Sequence, residues 1–284
     1  MQFTIVHDTL YTYSAPVTLA QHLTRLRPRS DGTQRTLAYA LEITPAPTYS
    51  WHSRDADGNS VDYHTLAAST DTLRIVARMQ IETLRANPYD YLPDAGFDTF
   101  PVRYPDAIAP MLAPYLAAGP SNPAVQRFAA EVAARCNAMS FLDALNHAVC
   151  SLGEKKIRHE GYAQTAAETL SRGSGACRDL AVLYMEAARA MGYAARFASG
   201  YRRGDLARRD RHLHAWAEVF VPGGGWRGWD PVEGLAVADQ HVTLAAAAGQ
   251  MGTMPVQGSF YSSGAKANLT YSIRIAAQES ALAG

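Results

Sequence analysis

The prolines of this 284-residue chain are concentrated in one stretch, which separates two regions of different sequence pattern. Eight of the 15 prolines lie between Pro88 and Pro123. Because proline lacks a backbone N–H and fixes φ, neither a helix nor a central strand is expected to run through this stretch. We therefore predict a linker over residues 86–122 that lies on the surface between two folded regions.

Before the linker, apolar or aromatic residues recur at alternate positions, which is the side-chain period of a half-buried strand. Such runs occupy residues 3–13, 37–43 and 73–81. Turn-forming clusters separate them, among them Asp57-Gly58-Asn59, in which glycine and asparagine tolerate a positive φ. Residues 1–85 are therefore predicted to form an all-β, sandwich-like domain.

After the linker, helical signals come first and strand signals follow. Asn122-Pro123 combines a good N-cap with a residue suited to the first helical position. Two further helices, each followed by glycine, are predicted over about 140–152 and 175–191. Short strands are predicted at 193–201, 213–221, 226–230 and 268–275. The chain is thus predicted to be α+β, with residues 123–284 forming a core of helices packed on an antiparallel sheet.

Composition excludes several classes of partner. The 26 basic and 26 acidic residues balance, which argues against a nucleic-acid partner. No apolar run reaches about 18 residues, so no membrane partner is expected. The N-terminus lacks the blocks of a secretory signal, and three cysteines without a CxxC pair argue against a disulfide framework. We therefore expect a cytoplasmic location, and oligomeric state has no signature in the sequence.

Cys177 is the candidate nucleophile, because it lies where the helix of residues 175–191 begins. The free N–H groups and positive dipole end of a helix stabilise an anion, and a thiolate is such an anion. Gly175 lies just upstream and leaves room for a substrate carbonyl, which makes it a candidate substrate-binding residue. Cys136 and Cys150, by contrast, are interpreted as small apolar residues within helices.

A thiol nucleophile needs a base and a group that orients the base. His214 begins one predicted strand and Asp230 ends the next, and the turn at 222–225 joins the two strands. If Val221 pairs with Trp226, His214 lies opposite Glu233, and a small change in turn length brings Asp230 closer. A carboxylate beside the imidazole would fix its tautomer and favour imidazolium. The sequence therefore predicts a Cys177–His214–Asp230 triad.

These segments resemble the bacterial transglutaminase-like superfamily, whose core has the papain-like fold. The resemblance lies in Gly-Ala-Cys177-Arg-Asp-Leu-Ala, Ser-Gly200-Tyr, His214-Ala-Trp-Ala-Glu-Val-Phe and Gly-Trp-Asp230-Pro. Residues 1–85 resemble the all-β domain that precedes this core in bacterial members. The resemblance implies Cys177 as nucleophile, His214 as general base and then acid, and Asp230 as orienter. It also implies acyl transfer from an amide through a thioester.

The same comparison shows two departures. Leu180 occupies a position where an aromatic residue is expected. Residues 249–255 occupy a stretch where relatives tend to carry an Arg-Asp pair and a further aspartate. The triad is intact, so these departures bear on the choice of substrate.

Two further substrate-binding candidates lie close to His214 in sequence. Trp216 shares a strand face with His214, so it lines the cleft or serves only in packing. Arg211 belongs to a basic loop that is either simply solvated or a rim for an acidic substrate or carboxylate terminus. The arginines of this loop are Arg202, Arg203, Arg208, Arg209 and Arg211. The expected partner is a peptide or protein substrate.

Several functions remain compatible with the sequence. The leading prediction is hydrolysis of an amide or peptide bond, and the closest alternative is transfer of the acyl group to an amine, as in a transglutaminase or peptide ligase. A third is an inactive module that binds peptides or proteins. His212 and His214, with Cys177 and Asp230, would suit a zinc site in ligand type. The triad needs no metal, so no metal and no cofactor are predicted.

Overall fold

The computed structural model describes residues 1–67, 69–94, 97–116, 122–158, 160–205, 207 and 211–279. It confirms the predicted α+β class, with a strand-rich N-terminal region followed by helices on an antiparallel sheet. Within these residues, no helix is long and apolar enough to cross a membrane.

The structure contains fourteen strands and five helices among the described residues. The strands are β1 (Gln2–Leu19), β2 (His22–Thr24), β3 (Gln34–Thr44), β4 (Tyr49–Arg54), β5 (Ser60–Thr65), β6 (Ser69–Thr83), β7 (Ala195–Arg202), β8 (His214–Val221), β9 (Gly225–Asp230), β10 (Leu235–Ala236), β11 (His241–Ala247), β12 (Val256–Gln257), β13 (Phe260–Tyr261) and β14 (Ala267–Gln278). The helices are α1 (Ala109–Leu116), α2 (Pro123–Ala133), α3 (Ala138–Cys150), α4 (Ala166–Arg172) and α5 (Cys177–Ala190), and a short 3-10 turn covers Gln250–Thr253.

The N-terminal region consists of two antiparallel sheets. In the first, β1 pairs with β6 on one side and with β14 and then β13 on the other, and β3 pairs with β6. The second has the order β12-β2-β5-β4. The alternating pattern of β1 buries Phe3 and Ile5 in a common apolar core with Leu73 and Ile75 of β6. The period-two pattern of the sequence therefore corresponds to real strands with one buried face.

The last three strands belong to the N-terminal sheets, which corrects the predicted division of the chain. Residues 123–284 were expected to form one core, yet β14 pairs with β1 from Gln2↔Gln278 to Tyr13↔Ala267. Ile273 of β14 is buried in the same apolar core as Phe3. Without β14 and β13, one side of β1 would present unpaired N–H and C=O groups. Pairing with the end of the chain removes that exposed edge.

The proline-rich stretch is also more than a surface linker. It contains α1, although Pro114 lies inside that helix and no helix was expected there. Leu112 of α1 is buried in the core, so tertiary packing outweighs the poor helix propensity of proline. Tyr104 is buried as well, and its hydroxyl donates to the Phe220 carbonyl (2.7 Å) and accepts from the Ala194 N–H (2.9 Å).

The core sheet has the order β10-β9-β8-β7-β11, and all of its pairings are antiparallel. Side chains on one face of β8, including Ala217 and Val219, pack in one apolar core with Ala181 and Tyr184 of α5. The predicted start of α2 is also confirmed, because the Asn122 side chain accepts from the Ala124 N–H ahead of Pro123. Gly192, which has φ +90°, follows the end of α5.

The Asp57-Gly58-Asn59 turn joins the two regions. The buried amide of Asn59 accepts from the Ala246 N–H (2.8 Å) and donates to the Ala246 carbonyl (2.9 Å) on β11. Asp57 accepts from the Tyr115 hydroxyl (2.6 Å). A motif that predicts a turn thus also holds the N-terminal region to the core sheet.

Candidate active site

Cys177 is the first residue of α5, as the sequence predicts. Its side chain is half-buried, and its backbone N–H lies in the first turn, where helical N–H groups have no intrahelical acceptor. The buried Asp179 carboxylate accepts from the N–H groups of Ala176 and Gln164 (both 2.8 Å) and from Arg158 (2.6 Å). Asp179 therefore fixes the helix start and the preceding loop around the thiol.

The β8–β9 hairpin brings His214 and Asp230 together. Val221 pairs with Gly225, one residue short of the pairing considered from the sequence, and the ladder runs to Ala217↔Trp229. One step further along this register, Asp230 lies opposite Trp216, two residues from His214 on the same face. His214 Nε2 and Asp230 Oδ2 are 2.7 Å apart.

The electrostatics of this pair favour a charged imidazole. Burial alone would lower the pKa of His214, but the charge and hydrogen bond of Asp230, together with the nearby Cys177 thiol, raise it to about 10. Burial would raise the pKa of Asp230, yet its attraction to and hydrogen bond with His214, and then those of His241, hold it well below its usual range. Since Nε2 of His214 is taken by Asp230, Nδ1 is the nitrogen left to face Cys177.

His241 is a further functional candidate, which no motif in the sequence marks. It begins β11, and its Nε2 lies 3.1 Å from the same Asp230 Oδ2 that His214 contacts. The other oxygen of Asp230 accepts from the Val232 N–H (3.0 Å). Burial lowers the pKa of His241, which favours the neutral ring as a donor to Asp230. The apolar run after His241 suggests a strand, but no local pattern indicates that this strand lies beside β7.

His214, Asp230 and His241 also form the one three-residue group, among the described residues, that could gather around a metal ion. The distances from Asp230 Oδ2 to Nε2 of His214 (2.7 Å) and of His241 (3.1 Å) are those of hydrogen bonds. Zinc bound to both His214 and Asp230 would hold each ligand atom at about 2.0–2.2 Å and roughly tetrahedral angles, which sets them further apart than 2.7 Å. His212, offered above as a zinc ligand, instead contacts the Tyr271 hydroxyl through Nδ1 (2.8 Å).

A cleft of about 750 Å³ opens at Cys177 and His214. The core supplies one wall, from residues 155–158, the start of α5, β7 and the 3-10 turn. The N-terminal sheets supply the other wall, through His7, Thr9 and Tyr11 of β1 and Leu269 and Tyr271 of β14. Burial raises the pKa of Tyr271 and the charge of Cys177 raises it further, so this tyrosine lies close to the nucleophile.

The three predicted substrate-binding residues occupy different positions. Arg211 lines the cleft, and its guanidinium donates to the carbonyls of Arg203 (2.6 Å) and Asp205. Trp216 is fully buried and packs edge-on against His241 (5.3 Å between ring centres), so it supports the site from behind and does not line the cleft.

Gly175 also has a structural explanation. Its carbonyl accepts from the Lys156 N–H (2.9 Å), and a Cβ on it would lie 2.8 Å from the Cβ of Asp179. The glycine therefore permits close packing of the helix start against residues 155–156. Among the described residues that line the cleft, Gly175 is not included.

The other arginines of the basic loop and the other two cysteines lie at different places in the structure. Arg202 lines the cleft and pairs with Glu233 (2.5 Å), whereas Arg208 and Arg209 lie outside the described residues. Cys150 ends α3, but Cys136 lies in the connection between α2 and α3, not within a helix as expected.

A cysteine at the start of a helix, beside an antiparallel sheet that carries a histidine and a buried aspartate, is the arrangement of a papain-like cysteine enzyme at the level of the family. Comparison with known proteins agrees with this class. Residues 3–82 match the family model of the bacterial transglutaminase-like N-terminal region, and residues 124–231 match that of the transglutaminase-like superfamily. Residues 124–231 therefore form a transglutaminase-like core, and residues 3–82 form the N-terminal region found in bacterial members.

Similar proteins span nearly the whole chain. An uncharacterized protein of Mycobacterium tuberculosis is 26% identical over 294 residues, covering 96% of this chain and 92% of its own length. An uncharacterized protein of Mycobacterium leprae is 27% identical over 276 residues, covering 92% and 94%. The fold is shared with a Cytophaga hutchinsonii protein described as a "Putative Cysteine Protease", with a TM-score of 0.72, 19% identity, and coverage of 98% of this chain and 92% of the other.

Proposed function

We propose that this protein hydrolyses amide or peptide bonds by cysteine-dependent acyl transfer. The observation that supports this most directly is the pairing of His214 with Asp230 (2.7 Å) in an open cleft that Cys177 also lines, close enough to His214 to raise its pKa. A shared proton between Cys177 and His214 gives a thiolate–imidazolium pair, which is the reactive form of such a site.

The proposed reaction has two steps. In the first, the Cys177 thiolate attacks the amide carbonyl, and the His214 imidazolium gives its proton to the leaving amine. The C–N bond breaks and an acyl-thioester remains. In the second, His214 takes a proton from water as the water attacks the thioester, so the acid is released and the thiol is restored. The Cys177 N–H is a donor for the oxyanion formed in each step.

The proposal is tested by comparing the wild-type protein with Cys177→Ala and Cys177→Ser on a mixture of peptides derived from a proteome. Release of new amino termini is the readout, and Cys136→Ala is the matched control, because Cys136 lies outside the cleft lining. We expect cleavage in the wild type and control, and loss of at least about 10³-fold in both Cys177 variants. Undiminished cleavage by Cys177→Ala would disprove the assignment.

The acceptor is settled by a second measurement on the same reaction. A labelled primary amine is added during turnover, and the products are analysed by mass spectrometry. We expect free acid as the main product. The cleft wall that contains Tyr271 leaves the His214 side chain partly exposed, so water can reach it. Incorporation of the amine into most of the product would replace hydrolysis by amine transfer.

A further inference from the structure

The charges that line the cleft are strongly unbalanced. Its described lining contains two acidic residues, Asp205 and Glu233, and six basic ones: Lys155, Lys156, Arg158, Arg178, Arg202 and Arg211. The chain as a whole has a net charge of zero, so the excess of positive charge is a local property. A cleft lined by one sign of charge concentrates ligands of the opposite sign.

Ion pairing within the protein accounts for part of this charge. Arg202 pairs with Glu233 (2.5 Å), and Arg158 pairs with the buried Asp179 (2.6 Å). Arg178 instead donates to two main-chain carbonyls, those of Arg158 (2.7 Å) and Glu160 (2.5 Å). A carbonyl satisfies the guanidinium without cancelling its charge.

The two lysines are also weakly compensated. The nearest carboxylate contact recorded for Lys156 is with exposed Glu154 at 3.9 Å, and the amine of Lys155 reaches the Cys150 sulfur at 3.3 Å. An exposed ion pair such as Lys156–Glu154 has a small interaction free energy. Lys155, Lys156 and Arg178 therefore leave positive charge facing the cleft.

These cations are held beside the nucleophile. Residues 155–156 bridge to Gly175, two residues before Cys177, and Arg178 directly follows Cys177 in α5. Uncharged side chains line the facing wall, including Thr9, Tyr11 and Leu269. The positive charge is thus concentrated on the side of the cleft formed by residues 155–158.

We propose that the acyl donor is acidic and places a carboxylate against Lys155 and Lys156 while Cys177 attacks a nearby amide. An acidic peptide is the substrate class that fits this chemistry. This inference rests on the proposed function, because it assigns the substrate of the same site.

The charge of the cleft is tested without turnover, by alkylation of Cys177 with iodoacetate and iodoacetamide. The two reagents deliver nearly the same group but differ in charge, and mass spectrometry of the peptide that contains Cys177 separates its reaction from those of Cys136 and Cys150. Common changes in thiolate content cancel in the ratio of the two rate constants. We expect this iodoacetate-to-iodoacetamide ratio to exceed that of glutathione.

The double variant K155Q/K156Q is expected to lower the ratio about three- to tenfold, and high salt to lower it in the wild type. The matched control is K266Q, which changes the remaining lysine, exposed and outside the cleft lining. It should leave the ratio unchanged. A wild-type ratio no higher than that of glutathione, or an equal ratio in wild type and double variant, would overturn the inference.

Peptide turnover then separates this inference from the proposed function. Paired peptides that differ only by Glu or Gln next to the cleaved bond are compared for kcat/KM. We expect the Glu peptide to be favoured about tenfold or more, and K155Q/K156Q to remove this preference mainly through KM. Cleavage without preference for Glu would overturn the inference and leave hydrolysis intact. A charge-dependent alkylation ratio without any cleavage would overturn the proposed function.

Discussion

The two walls of the cleft are assembled from very different distances along the chain. The catalytic wall comes from residues 155–256, and its key groups lie at the start of α5 and in one hairpin. The facing wall comes from β1 and β14, which meet through pairs such as Gln2↔Gln278. The difference shows that local structure positions the residues of the proposed triad, whereas the shape of the cleft depends on the two ends of the chain meeting.

The largest effect is expected at the centre of the catalytic wall. Asp230→Asn keeps the shape but removes the charge that supports the His214 imidazolium, and a comparable change behind a catalytic histidine lowers kcat by about 10⁴. We expect a fall of 10³ to 10⁴ in amide cleavage, measured as kcat.

The control for this variant is Asp71→Asn, an exposed carboxylate on β6. It should leave kcat unchanged. Thermal unfolding of both variants checks that they fold. If the Asp230→Asn protein folds and its activity is within tenfold of the wild type, the Asp230 carboxylate is not required for amide cleavage.

The contact between the two regions is expected to give the next largest effect. Asn59→Ala leaves the buried N–H and C=O of Ala246 without the partners that Asn59 supplies. Loss of such partners costs about 1–3 kcal/mol for each group, so we expect the free energy of unfolding to fall by about 2–4 kcal/mol. Urea denaturation measures this.

Asn268→Ala, on an exposed position of β14, is the matched control for Asn59→Ala and should change stability by less than about 0.5 kcal/mol. Equal stabilities for the two variants would mean that Asn59 does not hold the regions together.

The facing wall should respond to acid through His7, which contacts the Tyr201 hydroxyl across the two regions (2.8 Å). Burial lowers the pKa of His7 from 6.5 to about 4, against a smaller opposing effect of Asp8. Between these values the unfolded chain binds the proton more readily, so stability falls as the pH falls from 6.5 toward 4.

A fully buried histidine loses up to about 1.4 kcal/mol of stability per pH unit across that window. We expect His7→Gln to reduce the loss of stability between pH 6.5 and 4.5 by about 1–2 kcal/mol, measured by denaturation at each pH. His147→Gln, on an exposed helix position, should follow the wild-type curve. Parallel curves for wild type and His7→Gln would contradict this account of the wall.

The smallest predicted effect concerns His241, which supports Asp230 from behind the catalytic wall. His241→Phe removes one of the hydrogen bonds to Asp230 Oδ2 and keeps an aromatic ring against Trp216. We expect kcat to fall about threefold to tenfold, since one neutral hydrogen bond contributes about 0.5–1.5 kcal/mol.

The pH profile distinguishes positioning from packing at His241. With less competition for Asp230, His214 should hold its proton to higher pH, so the alkaline limb of kcat should move upward. His147→Phe provides the control. A lower kcat whose alkaline limb lies at the wild-type pH would indicate that His241 has a purely structural role.

Local signals in the sequence predicted the secondary structure around the candidate site better than the long-range architecture. The helix start at Cys177 and the hairpin of β8 and β9 follow from nearby residues, and the hairpin register differed by a single residue because the turn is shorter than assumed. Helix α1 was missed because burial of Leu112 outweighs the local effect of Pro114.

Long-range pairing explains the other differences. The approach of His241 to Asp230 requires β11 to lie beside β7, and the cleft wall requires β14 to lie beside β1. Neither pairing has a signature in the residues themselves, since both depend on the order of strands in a sheet. Gly175 and Trp216, predicted to bind substrate, pack against Asp179 and His241 instead of lining the cleft, and those packing partners are distant or unmarked in the sequence.

The most direct test of the central claim is the pH dependence of Cys177 alkylation by iodoacetamide, in the wild type and in Asp230→Asn. We predict that wild-type Cys177 is alkylated fast near neutral pH, because the His214 imidazolium stabilises the thiolate, and that Asp230→Asn loses this reactivity. An ordinary free thiol instead gains reactivity only as the pH rises through about 8.5. A wild-type profile of that ordinary form, unchanged by Asp230→Asn, would contradict the proposed triad.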